Sequence, residues 1–204
     1  MTKLSTFKAI AATAVLLVSS LAGATAISGA GTGLGSPAST LTFSEIVLAD
    51  NTVFNSQYSA LGIASASGLF YNGCQNACVN AQPSGAHPEL SNFANVNTSI
   101  FSASQDLQFT TAIDGVAFNF ASNGGTYTFT ALLGGNVVES FTGNGAIWGF
   151  YGFSGIALDE LQIASPSAFL LDNLQTGAAV PEPGSLALFA LGLLGLGFGR
   201  RSKK

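Results

Sequence analysis

The body of this chain has no positive charge. Six Lys and Arg stand against ten Asp and Glu, and charged residues make up 8% of 204 positions, where soluble domains average about 25%. All six bases sit at the two ends: Lys3, Lys8, Arg200, Arg201, Lys203 and Lys204. Residues 27–180 hold no Lys or Arg, while nine acids give that span a formal charge of −9. Such a span cannot neutralise phosphates, which excludes nucleic acid as a partner. It repels anionic surfaces and attracts metal cations. Low charge with 48% apolar residues argues against intrinsic disorder, and equally against a coiled coil. One His and two Cys are too few for a zinc site. His87 stands alone in a Gly-Ala-His-Pro-Glu loop; Ser84 and Ser91 are near it in sequence, but no G-x-S-x-G is present.

What the ends do contain reads as two addresses. Lys3 and Lys8 precede an apolar run over 9–21, and Ala24-Thr25-Ala26 offers a small-x-small cleavage site. Together they form a secretory signal peptide over residues 1–26, with the mature chain starting at Ile27. At the other end come Pro181, Glu182 and Pro183, an apolar run over 185–199, and then the basic cluster. Fifteen helical residues span about 22 Å, short of a hydrocarbon core of about 30 Å. The run is therefore a weak, transient inner-membrane span. The bases Arg200, Arg201, Lys203 and Lys204 act as a stop-transfer tail that stays in the cytoplasm. The two prolines keep the preceding backbone extended and remove two amide donors, which suits a protease cleft.

The Pro-Glu-Pro tripeptide, the Leu/Gly-rich helix and the basic tail resemble the PEP-CTERM protein-sorting signal of Gram-negative bacteria. The resemblance covers residues 177–204. It implies recognition by an exosortase, a membrane-embedded cysteine protease-transpeptidase that removes the tail near the tripeptide. It also implies a place at the cell surface or in an extracellular exopolysaccharide matrix.

Between the ends, the apolar period is two. Residues 27–40 are a Gly/Ser-rich linker. From residue 41, Leu41, Phe43 and Val47 alternate with polar neighbours, as do Val116, Phe118 and Phe120, then Tyr127, Phe129, Ala131 and Leu133. Glycine turns follow at 123–125, 134–136 and 143–145, and further strands are expected over 147–153, 158–164 and 169–174. The expected fold is all-β: a two-sheet antiparallel β-sandwich over 41–176, with enough chain for one core. Its opening and closing segments resemble PEP-CTERM ectodomains and the galactose-binding-like and carbohydrate-binding jelly rolls. That resemblance implies a structural calcium between Glu45 and Asp172.

Three further groups invite chemistry. Cys74 and Cys78, outside the cytoplasm, are expected to form a disulfide closing a small loop, worth about 2–3 kcal/mol or less. Asp159 and Glu160 are adjacent acids, but in a strand they should point to opposite faces. Trp148 and Tyr151 are the candidates for stacking on a sugar ring. The reading is an exported, non-catalytic protein that associates with extracellular polysaccharide. Two others stand beside it: an inert structural or adhesive surface protein, and a secreted hydrolase. The hydrolase would use His87 or the Asp159/Glu160 pair.

Overall fold

Alternating apolar residues need a second layer to bury their inner face, and here one sheet supplies both layers by folding over. The structure is a computed structural model, and it describes residues 25–74, 87–92, 103–145 and 147–180. Eleven strands are present among them: β1 (Thr25–Ala30), β2 (Ser39–Leu41), β3 (Thr52–Phe54), β4 (Ile63–Ser67), β5 (Leu69–Cys74), β6 (His87–Ser91), β7 (Ser104–Ser122), β8 (Tyr127–Leu133), β9 (Asn136–Gly143), β10 (Gly149–Ala164) and β11 (Phe169–Thr176). All pairings are antiparallel. A single 3-10 turn, Ser59–Leu61, is the helical element of the described residues.

The hydrogen-bonded path runs β3-β5-β6-β11-β7-β10-β8-β9, with β1 on β10, β2 on β11 and β4 on β7. It is one connected sheet, not the two separate sheets expected. The reason lies in the length of β7 and β10, at 19 and 16 residues. Each runs through both halves of the structure. The second half of β7 pairs with β11 and the first half of β10; the first half of β7 pairs with β4 and the second half of β10. Between the halves the β7–β10 register shifts twice, around Leu158. Such bulges add an unpaired residue, bend the strand and raise its twist. The two strands expected over 147–153 and 158–164 are therefore one strand, bent at its bulges.

Ring contacts between the halves show the closure. Phe120 on β7 lies 5.2 Å from Phe129 and 5.0 Å from Tyr127, both on β8, a strand with which β7 makes no ladder. Phe153 on β10 meets Phe141 on β9 at 5.1 Å. Most of these rings sit edge to face or tilted, the arrangement their quadrupoles favour. Each buried ring contributes about 1.5–3 kcal/mol by leaving water. The 16 Phe of the chain are thus used largely for this interior.

Local chemistry explains two features well. The β8–β9 hairpin turns on Gly134 and Gly135, with φ of 57° and 76°. Two positive φ values are what a two-residue turn of matching twist requires, and glycine reaches them without strain. At the β7–β10 crossing, Gly152 has φ 150° and a Cβ there would stand 2.0 Å from the Val116 carbonyl oxygen. Only a residue without a side chain fits.

The N-terminal half departs from the simple alternation. Leu41 ends β2, Phe43 turns inward with φ 57°, and Val47 is 78% exposed. Phe43 then packs against Phe54 and Tyr58, and the Tyr58 hydroxyl reaches the Phe43 and Ile46 carbonyls at 2.7 and 2.8 Å. A buried phenol ties this loop down in place of a ladder. The span read as a linker also carries structure: β1 pairs with β10 from Thr25 opposite Ser154 to Ala30 opposite Phe150, and the Leu34 amide donates to Gln175 Oε1 at 2.8 Å. Small residues sufficed there, because backbone pairing does not require an apolar face. The signal-peptide run and the C-terminal helix lie outside the described residues. Among the described residues no helix is long and apolar enough to cross a membrane.

Candidate functional site

Three regions gather the chemistry-bearing residues. The first is a buried polar row across four strands of the sheet. Asn72 on β5 lies opposite Glu89 on β6, and Asn119 on β7 lies opposite Asp172 on β11. The β6–β11 register, Leu171 opposite Leu90, continues so that Asp172 comes beside Glu89. A bulge in β11 follows Asp172, and Asn173 there has φ 47°. The bulge turns two consecutive polar side chains to one side. Asn173 Nδ2 donates to Asn119 Oδ1 at 3.0 Å and to Asp172 Oδ2 at 3.1 Å, and the Asn173 amide donates to Asp172 Oδ1 at 2.6 Å.

This row is closed to solvent: Glu89 is 0% and Asp172 6% exposed. No Lys or Arg exists in the span to balance the acids. Burial accordingly pushes the Asp172 carboxyl up to about 7; the Asn173 amide opposes the shift, and the charge of Glu45 adds to it. Glu45 itself is exposed. Burial tends to raise its carboxyl, but amide and hydroxyl donors outweigh this and hold it below the usual carboxylate value. Thr42 supplies two of them, its amide at 2.8 Å and its hydroxyl at 3.0 Å. The charge of Glu45 is felt at Asp172, but Glu45 is exposed while Asp172 is buried with both carboxylate oxygens accepting from Asn173. The pair gives two carboxylates, where calcium takes six to eight oxygens. Among the described residues no group of three or more His, Cys, Asp or Glu is placed to hold a metal ion. Glu89, Asn72 and Asn119 were not legible as partners, because cross-strand register is not written in either strand alone.

The second region is the outer face of the other half. Ser67, Asp106, Gln162, Thr130 and Ser140 lie in register across β4, β7, β10, β8 and β9. Every position of the row is a hydroxyl, amide or carboxylate. Ser67 donates to Asp106 Oδ2 at 2.8 Å, and Thr130 and Ser140 hydroxyls meet at 3.2 Å. Beside this row a cleft of about 390 Å³ is lined by Gln108, Phe109, Gly135, Asp159 and Glu160. Asp159 and Glu160 were expected on opposite faces. The bulge between Leu158 and Glu160 brings both to the same cleft. There Asp159 accepts the Gly134 amide with both oxygens, at 3.1 and 2.9 Å, and so caps the β8–β9 turn. Glu160 accepts from Gln162 at 2.7 Å.

The proposed sugar-stacking pair divides. Trp148 is half-buried just before β10. Tyr151 is 2% exposed and stacks on Phe129 at 5.4 Å, so it belongs to the core and presents no platform to a sugar. Cys74 ends β5 with His87 opposite it in the ladder. Cys78 lies outside the described residues, and so does the expected disulfide.

The third region is the exit of the chain. After β11 the backbone stays on β7: Gly177 donates to the Gly115 carbonyl at 2.8 Å, Asp114 to Ala178 at 2.9 Å, and Val180 to Ala112 at 2.8 Å. Pro181, Glu182, Pro183 and the basic tail follow, outside the described residues. Residues 179–204 match the PEP-CTERM protein-sorting motif. The motif indicates a surface protein targeted by an exosortase. Its match covers the tail alone and leaves the β body unassigned. No curated protein and no solved structure matches the chain. The galactose-binding-like jelly roll expected for the body therefore gains no support from a known structure, while the all-β, antiparallel character holds.

Proposed function

We propose that this is an exported, non-catalytic surface protein. Its tail is processed by an exosortase near Pro181, Glu182 and Pro183, and its β body associates with extracellular polysaccharide. The sorting motif over residues 179–204 carries this reading. The outer face of the β4-β7-β10-β8-β9 half supports its second part. Hydroxyl, amide and carboxylate groups in register match the donors and acceptors of a polyol chain, and the cleft at Gln108 and Glu160 gives that face relief. The absence of Lys and Arg from residues 27–180 directs the choice toward neutral glycans and away from polyanionic ones.

The test is binding of the exported protein to a panel of bacterial polysaccharides, with and without calcium. Calcium is included because the resemblance to carbohydrate-binding jelly rolls implies one between Glu45 and Asp172. Saturable binding to a neutral glycan, weakened at least tenfold by Gln162→Ala with Glu160→Ala, is the expected result. No binding in either condition moves the body to a purely structural role. The tail alone would then govern its placement.

A further inference from the structure

The folded body holds the beginning of its own sorting motif. Thr176 lies opposite Val116, and the chain continues in the same register through an Ile113–Ala179 bridge to Val180. The matched motif begins at residue 179, so its first two residues are still part of the sheet. Pro181, the first residue of the tripeptide, comes next.

A protease binds its substrate extended and uses the substrate's backbone amides and carbonyls. On the body side of the tripeptide the Gly177 and Val180 amides and the Ala178 carbonyl are already bonded to β7. Reach is limited too. Four residues, 181–184, separate Val180 from the apolar run, and fully extended they span about 14 Å. A membrane-embedded enzyme would have to work against the wall of the domain.

We propose that residues 177–180 form a latch that must peel from β7 before the tail is processed, an inference that rests on the sorting function above. The anchoring suits release. Ala178 and Ala179 are exposed and Val180 is only half-buried, so the segment is held chiefly by its backbone bonds. Its hinge is Gly177, where a Cβ would stand 1.9 Å from Asp114 Oδ1 and 3.0 Å from the Gly115 amide nitrogen. Peeling frees four residues, which doubles the reach and restores the backbone donors and acceptors a cleft needs.

The experiment follows tail loss by pulse labelling of the full chain in a host that carries an exosortase. Ile113 and Ala179 form a non-hydrogen-bonded antiparallel pair, with Cα atoms about 4.5 Å apart, within disulfide range. The double variant Ile113→Cys/Ala179→Cys locks the latch and should slow processing at least tenfold, with the wild-type rate restored by reductant. Gly177→Val crowds the Asp114 carboxylate and the Gly115 amide and so weakens the hold of the segment on β7; it leaves residues 179–204 unchanged and should speed processing several-fold. Processing of the verified cross-linked chain at the wild-type rate overturns the latch. So does an unchanged rate for Gly177→Val, which carries the test if the double variant does not fold. Wild-type chain that never loses its tail overturns the sorting function itself.

Discussion

Phe120→Ala is expected to destabilise the body by about 3–5 kcal/mol, the range for removing a fully buried ring. Phe120 is 0% exposed and touches Phe118, Tyr127, Phe129, Tyr151 and Phe169, with centroids 4.8 to 6.2 Å away. Those partners lie on β7, β8, β10 and β11. The ring is therefore a pin between the two halves of the folded sheet. Domains of this size hold about 5–15 kcal/mol in total, so the variant should sit near its unfolding threshold. Denaturant titration checks this, with Val47→Ala at a 78% exposed side chain as a control that should move stability by less than about 0.5 kcal/mol. A cost below about 1 kcal/mol for Phe120→Ala would mean that the halves do not close on one another as described.

The second large effect is a pH dependence with an unusual sign. Asp172 rises from 3.8 to about 7 in the fold, chiefly through burial, with Glu45 adding to the shift. The folded state therefore prefers the protonated acid. Its contribution is fully present below pH 4 and is lost as pH rises through about 7. Between these limits the fold holds the extra proton, so stability falls by up to about 1.4 kcal/mol per pH unit. The whole loss is on the order of 4 kcal/mol over the 3.8 to about 7 interval. Asp172→Asn keeps the shape and cannot ionise, but it loses one acceptor for Asn173, at about 1 kcal/mol. The variant should be more stable than wild type at pH 8, and its stability should be nearly flat between pH 4 and 7. Thermal unfolding across that range checks both. An unchanged slope in the variant would mean that Asp172 does not carry the titration.

The strands of the C-terminal half were readable because their apolar residues alternate without interruption. Phe118, Phe120, Phe129 and Phe153 all face the core. The glycine turn at 134–135 was equally plain, since paired glycines between two alternating runs favour a two-residue hairpin turn. Two things resisted. The closure of a single sheet depends on bulges near Leu158, and a bulge is a matter of which residue lacks a partner on another strand. The row from Asn72 to Asn119 depends on four strands aligning, so each polar residue read as an ordinary surface position. Tyr151 was placed on the surface because alternation tells which residues share a face but not which face is buried. The sorting motif was legible because its tripeptide, apolar run and basic tail are contiguous in the sequence.

The most direct measurement is the intact mass of the protein isolated from the envelope and medium of its own host. Removal of residues 1–26 and loss of the chain beyond the Pro-Glu-Pro, including the apolar run over 185–199 and the four terminal bases, is the predicted result. A mature protein that still carries Arg200 to Lys204 would contradict the account.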